Sequence, residues 1–229
     1  MANETLSVSE ANKIIDNLGH VLDNCAYHMS DDLNTFLIGL NKIWADRIAR
    51  ELGQNIYKKS QAIMDVLSRN YNTMGQTLED IVASYKKVGN MQEDFSVVRR
   101  YYKSKVNDKI MQEYFSDGNG DDFGFKDRIN GPDTVMIILE EYTNNLQKVA
   151  EHVKWLIAGS NAFGNNDVTR ELSNSGARIV EIVESATKEM QEEVREHIEL
   201  AAKRYGLIGQ AAREQMEKVT EAMKEKAEN

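Results

Sequence analysis

One cysteine and one proline in 229 residues exclude a good deal. A lone cysteine forms no intrachain disulfide framework, so any core must come from apolar packing, and the redox compartment is unreadable. Cys25 falls in an apolar stripe and reads as a small core residue rather than a nucleophile, because nothing in the sequence supplies an activating environment. With a single proline, and with Ala, Glu, Lys, Leu and Ile filling long stretches, helices are favoured over a sheet. No run approaches the ~18 consecutive apolar residues of a membrane span. The N-terminal Met-Ala-Asn-Glu-Thr-Leu-Ser has no basic region followed by an apolar run. Synthesis as a soluble cytoplasmic chain is expected, with any export using a route that needs no classical signal peptide. Net positive charge is missing too: 37 acidic residues against 28 basic give a net charge of -9, a field that repels nucleic acid and anionic lipid.

The chemical motifs are equally sparse. No Gly-x-Gly-x-x-Gly, phosphate loop, serine nucleophile elbow or paired-cysteine motif occurs. Of the four histidines, His20, His28, His152 and His197, the best candidate pair for a metal is His197 with Glu193 at i, i+4, and neither a Glu-x-x-His pair nor His-Glu-x-x-His is present; they read as exposed helix-surface residues. Adjacent acids such as Glu140-Glu141 diverge by ~100° around a helix and make no general acid and base set. No catalytic residue, cofactor or metal site is expected.

What the chain does have is long apolar stripes. Ile15, Leu18, Leu22, Cys25, Met29, Leu33, Phe36, Leu40 and Ile43 recur at steps of three or four, after a capping-box spacing at Ser7-Val8-Ser9-Glu10. A helix of about 35 residues is ~50 Å long, so this stripe predicts a packing seam. Past Trp44 a second stripe runs through Ile48, Leu52, Ile56, Ile63, Leu67, Tyr71, Met74, Leu78, Ile81, Tyr85 and Val88. Two such helices joined by a short turn within 44–53 bury their stripes by folding back on each other. Residues 8–89 therefore read as one helical hairpin.

Residues 90–132 read as a linker. A short helix is expected within 95–115, carrying a basic cluster that interleaves Arg99, Arg100, Lys103 and Lys105 with Tyr101 and Tyr102. Asp117-Gly118-Asn119-Gly120-Asp121-Asp122 reads as a flexible acidic loop. Its spacing begins like a calcium-binding EF-hand loop but fails at the sixth position, Asp122, and the twelfth, Arg128. Pro132 marks the next helix start. Val135, Ile138, Tyr142, Leu146, Val149, Val153 and Leu156 then form a stripe ending at the Gly159–Asn166 turn. The following stripe runs from Val168 and Leu172 through Ile179, Val183, Met190, Val194 and Ile198 to Tyr205, and onward to Met223. Residues 133–229 are the second hairpin, with an extended C-terminal helix. At a constant offset of 120 residues, Arg50-Glu51-Leu52 meets Arg170-Glu171-Leu172, Glu79 meets Glu199, and Tyr85 with Gly89 meets Tyr205 with Gly209, as duplication predicts. The expected fold is all-α: two long antiparallel hairpins packed as a four-helix bundle.

A hairpin with Trp at its turn and a Tyr-x-x-x motif about 40 residues later resembles the Trp-x-Gly (ESAT-6-like) family of type VII secretion proteins. Here Trp44-Ala45-Asp46 carries Asp46 where the family has Gly, and Tyr85-Lys86-Lys87-Val88-Gly89 carries Gly89 where the export motif has an acid. The second module has Phe163-Gly164 near the Trp position and Tyr205 to Gly209 at the export position. An intact Tyr-x-x-x-Asp, Tyr27 to Asp31, lies inside the first helix. The resemblance covers both hairpins and implies a non-catalytic, covalently linked pair, acting as a secreted substrate or as partner of the secretion machinery or a co-secreted effector; a monomeric pseudo-dimer is the preferred arrangement and a homodimer the alternative. It implies cell-surface or secreted localisation. Trp155, near the end of the third long helix, is expected at the turn or on a partner surface. The second functional reading is an intracellular coiled-coil adaptor or nucleic-acid-associated protein using Arg99, Arg100, Lys103 and Lys105.

Overall fold

The computed structural model describes residues 8–87, 94–115, 124–127, 129–159 and 167–205. Expectations for Ser7, Gly89, the acidic loop 117–123, Phe163, Gly164 and the chain from Gly206 onward, including Gly209, lie outside those residues. The fold is all-α, with α1 Val8–Ile43, α2 Arg47–Lys87, α3 Asp108–Phe115, α4 Gly131–Gly159 and α5 Asp167–Tyr205. Among the described residues no helix is long and apolar enough to cross a membrane.

The first stripe forms α1 in one unbroken run of 36 residues. Every stripe position from Ile15 to Leu40 is buried, Leu37 joins them, and Ile43 is half-buried. On α2 the buried seam runs from Ile48 to Leu78 and shifts to Val82, leaving Ile81 half-buried. The α1–α2 turn is shorter than the interval 44–53 suggested, because Arg47 already begins α2. Asp46 explains the early start: its Oδ1 accepts the Ala49 amide at 2.8 Å, an N-cap bond. On α4 and α5, Val135, Tyr142, Leu146, Val153, Ile179, Val183, Met190, Val194 and Ile198 are buried, as their periodicity predicts, whereas Ile138 and Val149 are half-buried and Leu139, outside the expected stripe, is buried.

The inter-hairpin segment departs from expectation. Among its described residues between α2 and α4 a helix is present only at Asp108–Phe115, where Asn107 caps it by accepting the Lys109 amide at 2.9 Å. Residues 94–107, including the basic cluster, are extended instead of helical. The paired Val97-Val98 and Tyr101-Tyr102 favour extended backbone. Burial alternates along it with one change of phase: Val97 is buried and Val98 exposed, then past Arg99-Arg100 the even positions Tyr102 and Ser104 are buried while Tyr101, Lys103 and Lys105 are exposed. This segment, here termed the strap, is packed on helices and does not act as a free linker.

The described chain divides into two compact units, neither of which coincides with residues 8–89 or 133–229. One unit contains 8–31 of α1, 59–87 of α2, the strap to Lys105, 144–159 of α4 and 167–187 of α5. It thus holds the open end of the first hairpin with the helix ends that flank residues 160–166. The other contains 32–43 of α1, 47–58 of α2, α3, 131–143 of α4 and 188–205 of α5, so it holds the turn of the first hairpin with the opposite ends of α4 and α5. Within this second unit α1 touches α4 and α2 touches α5 directly. Phe36 stacks on Tyr142 at 5.7 Å between ring centroids, and Asn55 donates to Glu193 Oε1 at 2.6 Å.

Candidate functional site

The groove between α1 and α2 is built to hold an extended chain. Along α2 a polar row flanks the buried seam, and from α1 a second row faces it. Glu79 Oε1 accepts the Val97 amide at 2.7 Å, Asn72 Oδ1 the Arg100 amide at 2.9 Å, Ser68 Oγ the Tyr102 amide at 2.7 Å and Gln61 Oε1 the Ser104 amide at 3.0 Å. Asn72 Nδ2 returns a bond to the Arg100 carbonyl at 2.9 Å. From α1, Ser30 Oγ accepts the Lys105 amide at 3.1 Å. These side chains take the place of a neighbouring β-strand, which an extended backbone ordinarily needs to satisfy its amides.

Side chains of the strap reach the same groove. Arg99 donates to Glu79 Oε2 and to Gln76 Oε1, both at 2.7 Å. Arg100 pairs with Asp23 on α1, and its guanidinium lies 5.4 Å from the Tyr71 ring centroid, a cation–π distance. Burial, with the Asp23 carboxylate nearby, pushes the Tyr102 phenol above its ordinary range. Two helical glycines make the room. A Cβ on Gly75 would lie 2.7 Å from Val97 Cγ1, and one on Gly19 would lie 2.8 Å from the Arg100 guanidinium carbon. Glycine inside a helix costs ~1 kcal/mol relative to alanine. Its presence at both points is explained by the side chains laid over them.

The turn carries a second constellation, within the unit that contains it. Trp44 is fully buried, and its indole N–H donates to Asp46 Oδ2 at 2.7 Å. Asp46 therefore uses one oxygen for the tryptophan and the other for the α2 cap. Phe125 stacks on Trp44 at 4.4 Å between centroids. An isolated antiparallel bridge fixes that stack, with Lys126 N donating to the Ile43 carbonyl at 2.9 Å and Ala45 N to the Gly124 carbonyl at 3.3 Å. Gly124 has φ of 54°, a left-handed conformation that favours glycine. Nearby, Tyr114 of α3 donates to the Leu37 carbonyl at 2.8 Å, and its ring lies where a Cβ on Gly53 would be.

Of the expected site residues, the structure joins Trp44 and Asp46 in one contact and places Arg99 and Arg100 in carboxylate pairs. Lys103 and Lys105 are exposed on the strap. Tyr85 lies on α2, Trp155 on α4 and Tyr205 on α5, with their side chains outside the described residues. Tyr27 and Asp31 are both exposed on α1. His197 is buried instead of exposed, and its Nδ1 lies 2.8 Å from the Glu193 carbonyl oxygen. Burial pushes the Cys25 thiol up to about 11, the opposite of what a nucleophile needs. Among the described residues no group of three or more His, Cys, Asp or Glu is placed to hold a metal ion.

The strap's anchors were not identified from sequence. Gln61, Ser68 and Gly75 recur at seven-residue steps, as do Asn72 and Glu79, which is the spacing of one continuous face. Small and amide side chains in a row beside an apolar seam are the legible signal of an occupied groove. Comparison with known proteins adds nothing to this: no family model, curated protein or solved structure matches the chain.

Proposed function

We propose that this chain is a non-catalytic helical interaction protein, a tandem Trp-x-Gly-like pair of hairpins that serves as a substrate of type VII secretion or as partner of a co-secreted effector. The observation that carries the reading is the composition of the two compact units. Each combines the turn-side ends of one hairpin with the open end of the other. That composition is expected where antiparallel hairpins pair, here within one chain. The buried Trp44 in a three-residue turn supports the same reading, with Asp46 replacing the family's glycine by a side chain that caps α2.

Nucleic-acid binding has less support. Arg99 and Arg100, half of the basic cluster, are engaged by Glu79 and Asp23, so binding a phosphate there requires breaking both pairs. The test of the proposal is fractionation of culture supernatant with and without the secretion ATPase. Appearance of the chain outside the cell only when the ATPase is present is the expected result; equal retention in both strains overturns the export assignment. Closure within one chain predicts a 26.0 kDa species in solution. A stable species of twice that mass means pairing between chains.

A further inference from the structure

We infer that the groove between α1 and α2 is a docking site for an extended basic and aromatic peptide of a partner protein, and that the strap is its built-in competitor. The inference extends the interaction reading to a particular surface and does not depend on export.

The way the groove reads its occupant is the first ground. Glu79, Asn72, Ser68, Gln61 and Ser30 bond to backbone amides, which every extended peptide offers at the same repeat. Selectivity comes from a few points only. The space above Gly75 takes a β-branched side chain, Val97. Glu79 and Asp23 each take an arginine, the second of which also faces the Tyr71 ring. A buried aromatic follows at Tyr102. The occupant's chemistry is therefore Val-x-Arg-Arg-x-Tyr in extended form.

The second ground is that the strap seats imperfectly. Arg100 Nε and Ser104 Oγ, both of the strap, are buried without a hydrogen-bond partner. Each opposes seating, because its lost water is not replaced. The bonds that hold the strap run through helix side chains, so its departure leaves the backbone ladders of α1 and α2 whole. An element bound in this way belongs to the low-stability end of a fold.

The test is titration of a fluorescent peptide of residues 95–107 into the full chain and into the Arg99→Ala plus Arg100→Ala variant, whose own strap is weakened. Affinity at least roughly ten-fold tighter in the variant is expected, because a competitor in cis reduces apparent affinity by the fraction of time it occupies the groove. Further Ser68→Ala and Asn72→Ala changes should abolish that binding. Equal affinity in both proteins, or no binding by a variant that keeps its helical spectrum and cooperative melting, overturns the inference. So does a concentration-dependent dimer of the variant that excludes peptide, since the groove then takes the strap of a second copy. Hydrogen exchange on the unaltered chain decides the matter if the variant does not fold. Amides of Val97, Arg100, Tyr102 and Ser104 exchanging faster than those of Leu33 and Leu67 support release of the strap; exchange at the core rate overturns it. Peptide binding with failed export refutes only the secretion proposal, and the reverse result refutes only this one.

Discussion

The two hairpins share a register at an offset of 120 residues, yet their outer faces differ in kind. In the first, Gln61, Ser68, Asn72, Gly75 and Glu79 line a groove and hold an extended chain. At the same offset the second has Glu181, Lys188, Glu192, Arg195 and Glu199. Four of these, Glu181, Lys188, Glu192 and Glu199, are exposed. On α1 Gly19 makes room for Arg100, whereas the corresponding position on α4 is the buried Leu139. The difference teaches that the apolar seam and the outer face answer to separate constraints. A seam tolerates any apolar side chain of suitable size, while an occupied groove requires particular acceptors and particular spaces. Glu79 and Glu199 illustrate the point: the identity that helped set the register joins a strap anchor to a residue on an exposed face.

The comparison breaks most severely at the turn of the first hairpin. Trp44→Ala should cost about 3–5 kcal/mol, the range for removing a fully buried aromatic, read as a shift in the denaturation midpoint. Phe125→Ala should cost a similar amount if the inter-hairpin segment is part of the first hairpin's core, as its 3% exposure indicates. A loss under about 0.5 kcal/mol at Phe125, the size of an ordinary surface change, would detach that segment from the turn.

Smaller effects sharpen the contrast between faces. Gly75→Ala should destabilise by about 1–3 kcal/mol through overpacking against Val97, although alanine is the better helix former. Gly53→Ala should do the same against the Tyr114 ring; stabilisation at either position would mean that the overlying side chain is absent in solution. Ser68→Ala leaves the buried Tyr102 amide unsatisfied and should cost about 1–3 kcal/mol. Lys188→Ala, its counterpart at the offset of 120 on an exposed face, should stay within about 0.5 kcal/mol. Equal costs at Ser68 and Lys188 would erase the distinction drawn between the two hairpins.

Two titrations give the smallest signals. The Cys25 thiol rises from 9.0 to about 11 on folding, so the unfolded chain releases its proton first as pH increases. Stability linked to Cys25 is complete below pH 9 and declines through the window up to about 11. Alkylation at pH 9 should be slow in the folded protein and rapid in denaturant. At the start of α4 the Asn130 amide, then its side chain, then the Ile129 amide donate to Asp127 and lower its carboxyl below 3.8. Its contribution is present above the unfolded value and is lost as pH falls through the folded one. A side-chain NMR titration midpoint at or above 3.8 would remove that turn from the description.

The seams were legible because burial against a neighbouring helix imposes a period of 3.6, and a period survives any exchange of apolar side chains. Trp44 was legible as the residue at the turn, because it stands where the first stripe ends and the second begins. Its stacking partner was not, since Phe125 lies beyond a long intervening segment and carries no periodic signal. The strap was misread as helical because Arg99, Arg100, Lys103 and Lys105 fit an amphipathic face as well as an extended one. What decides between them is the set of side-chain acceptors on α1 and α2, and those residues resemble ordinary solvated polar positions until the strap is laid over them. Tertiary bonds here act with the extended preference of Val97-Val98 and Tyr101-Tyr102, which a reading by charge pattern alone passes over.

The strap also has an order of arrival. Its bond to Glu79 spans 18 residues, those to Asn72 and Ser68 span 28 and 34, and that to Gln61 spans 43, whereas Ser30 is 75 away. The entropy of closing a loop grows with its length, so the contacts on α2 are the cheapest to begin with and those on α1 come last. As the chain leaves the ribosome, α1 and α2 are complete before the strap emerges. For that interval the first hairpin stands with its row of acceptors vacant, and whatever extended chain is nearby during synthesis meets the groove before its resident does.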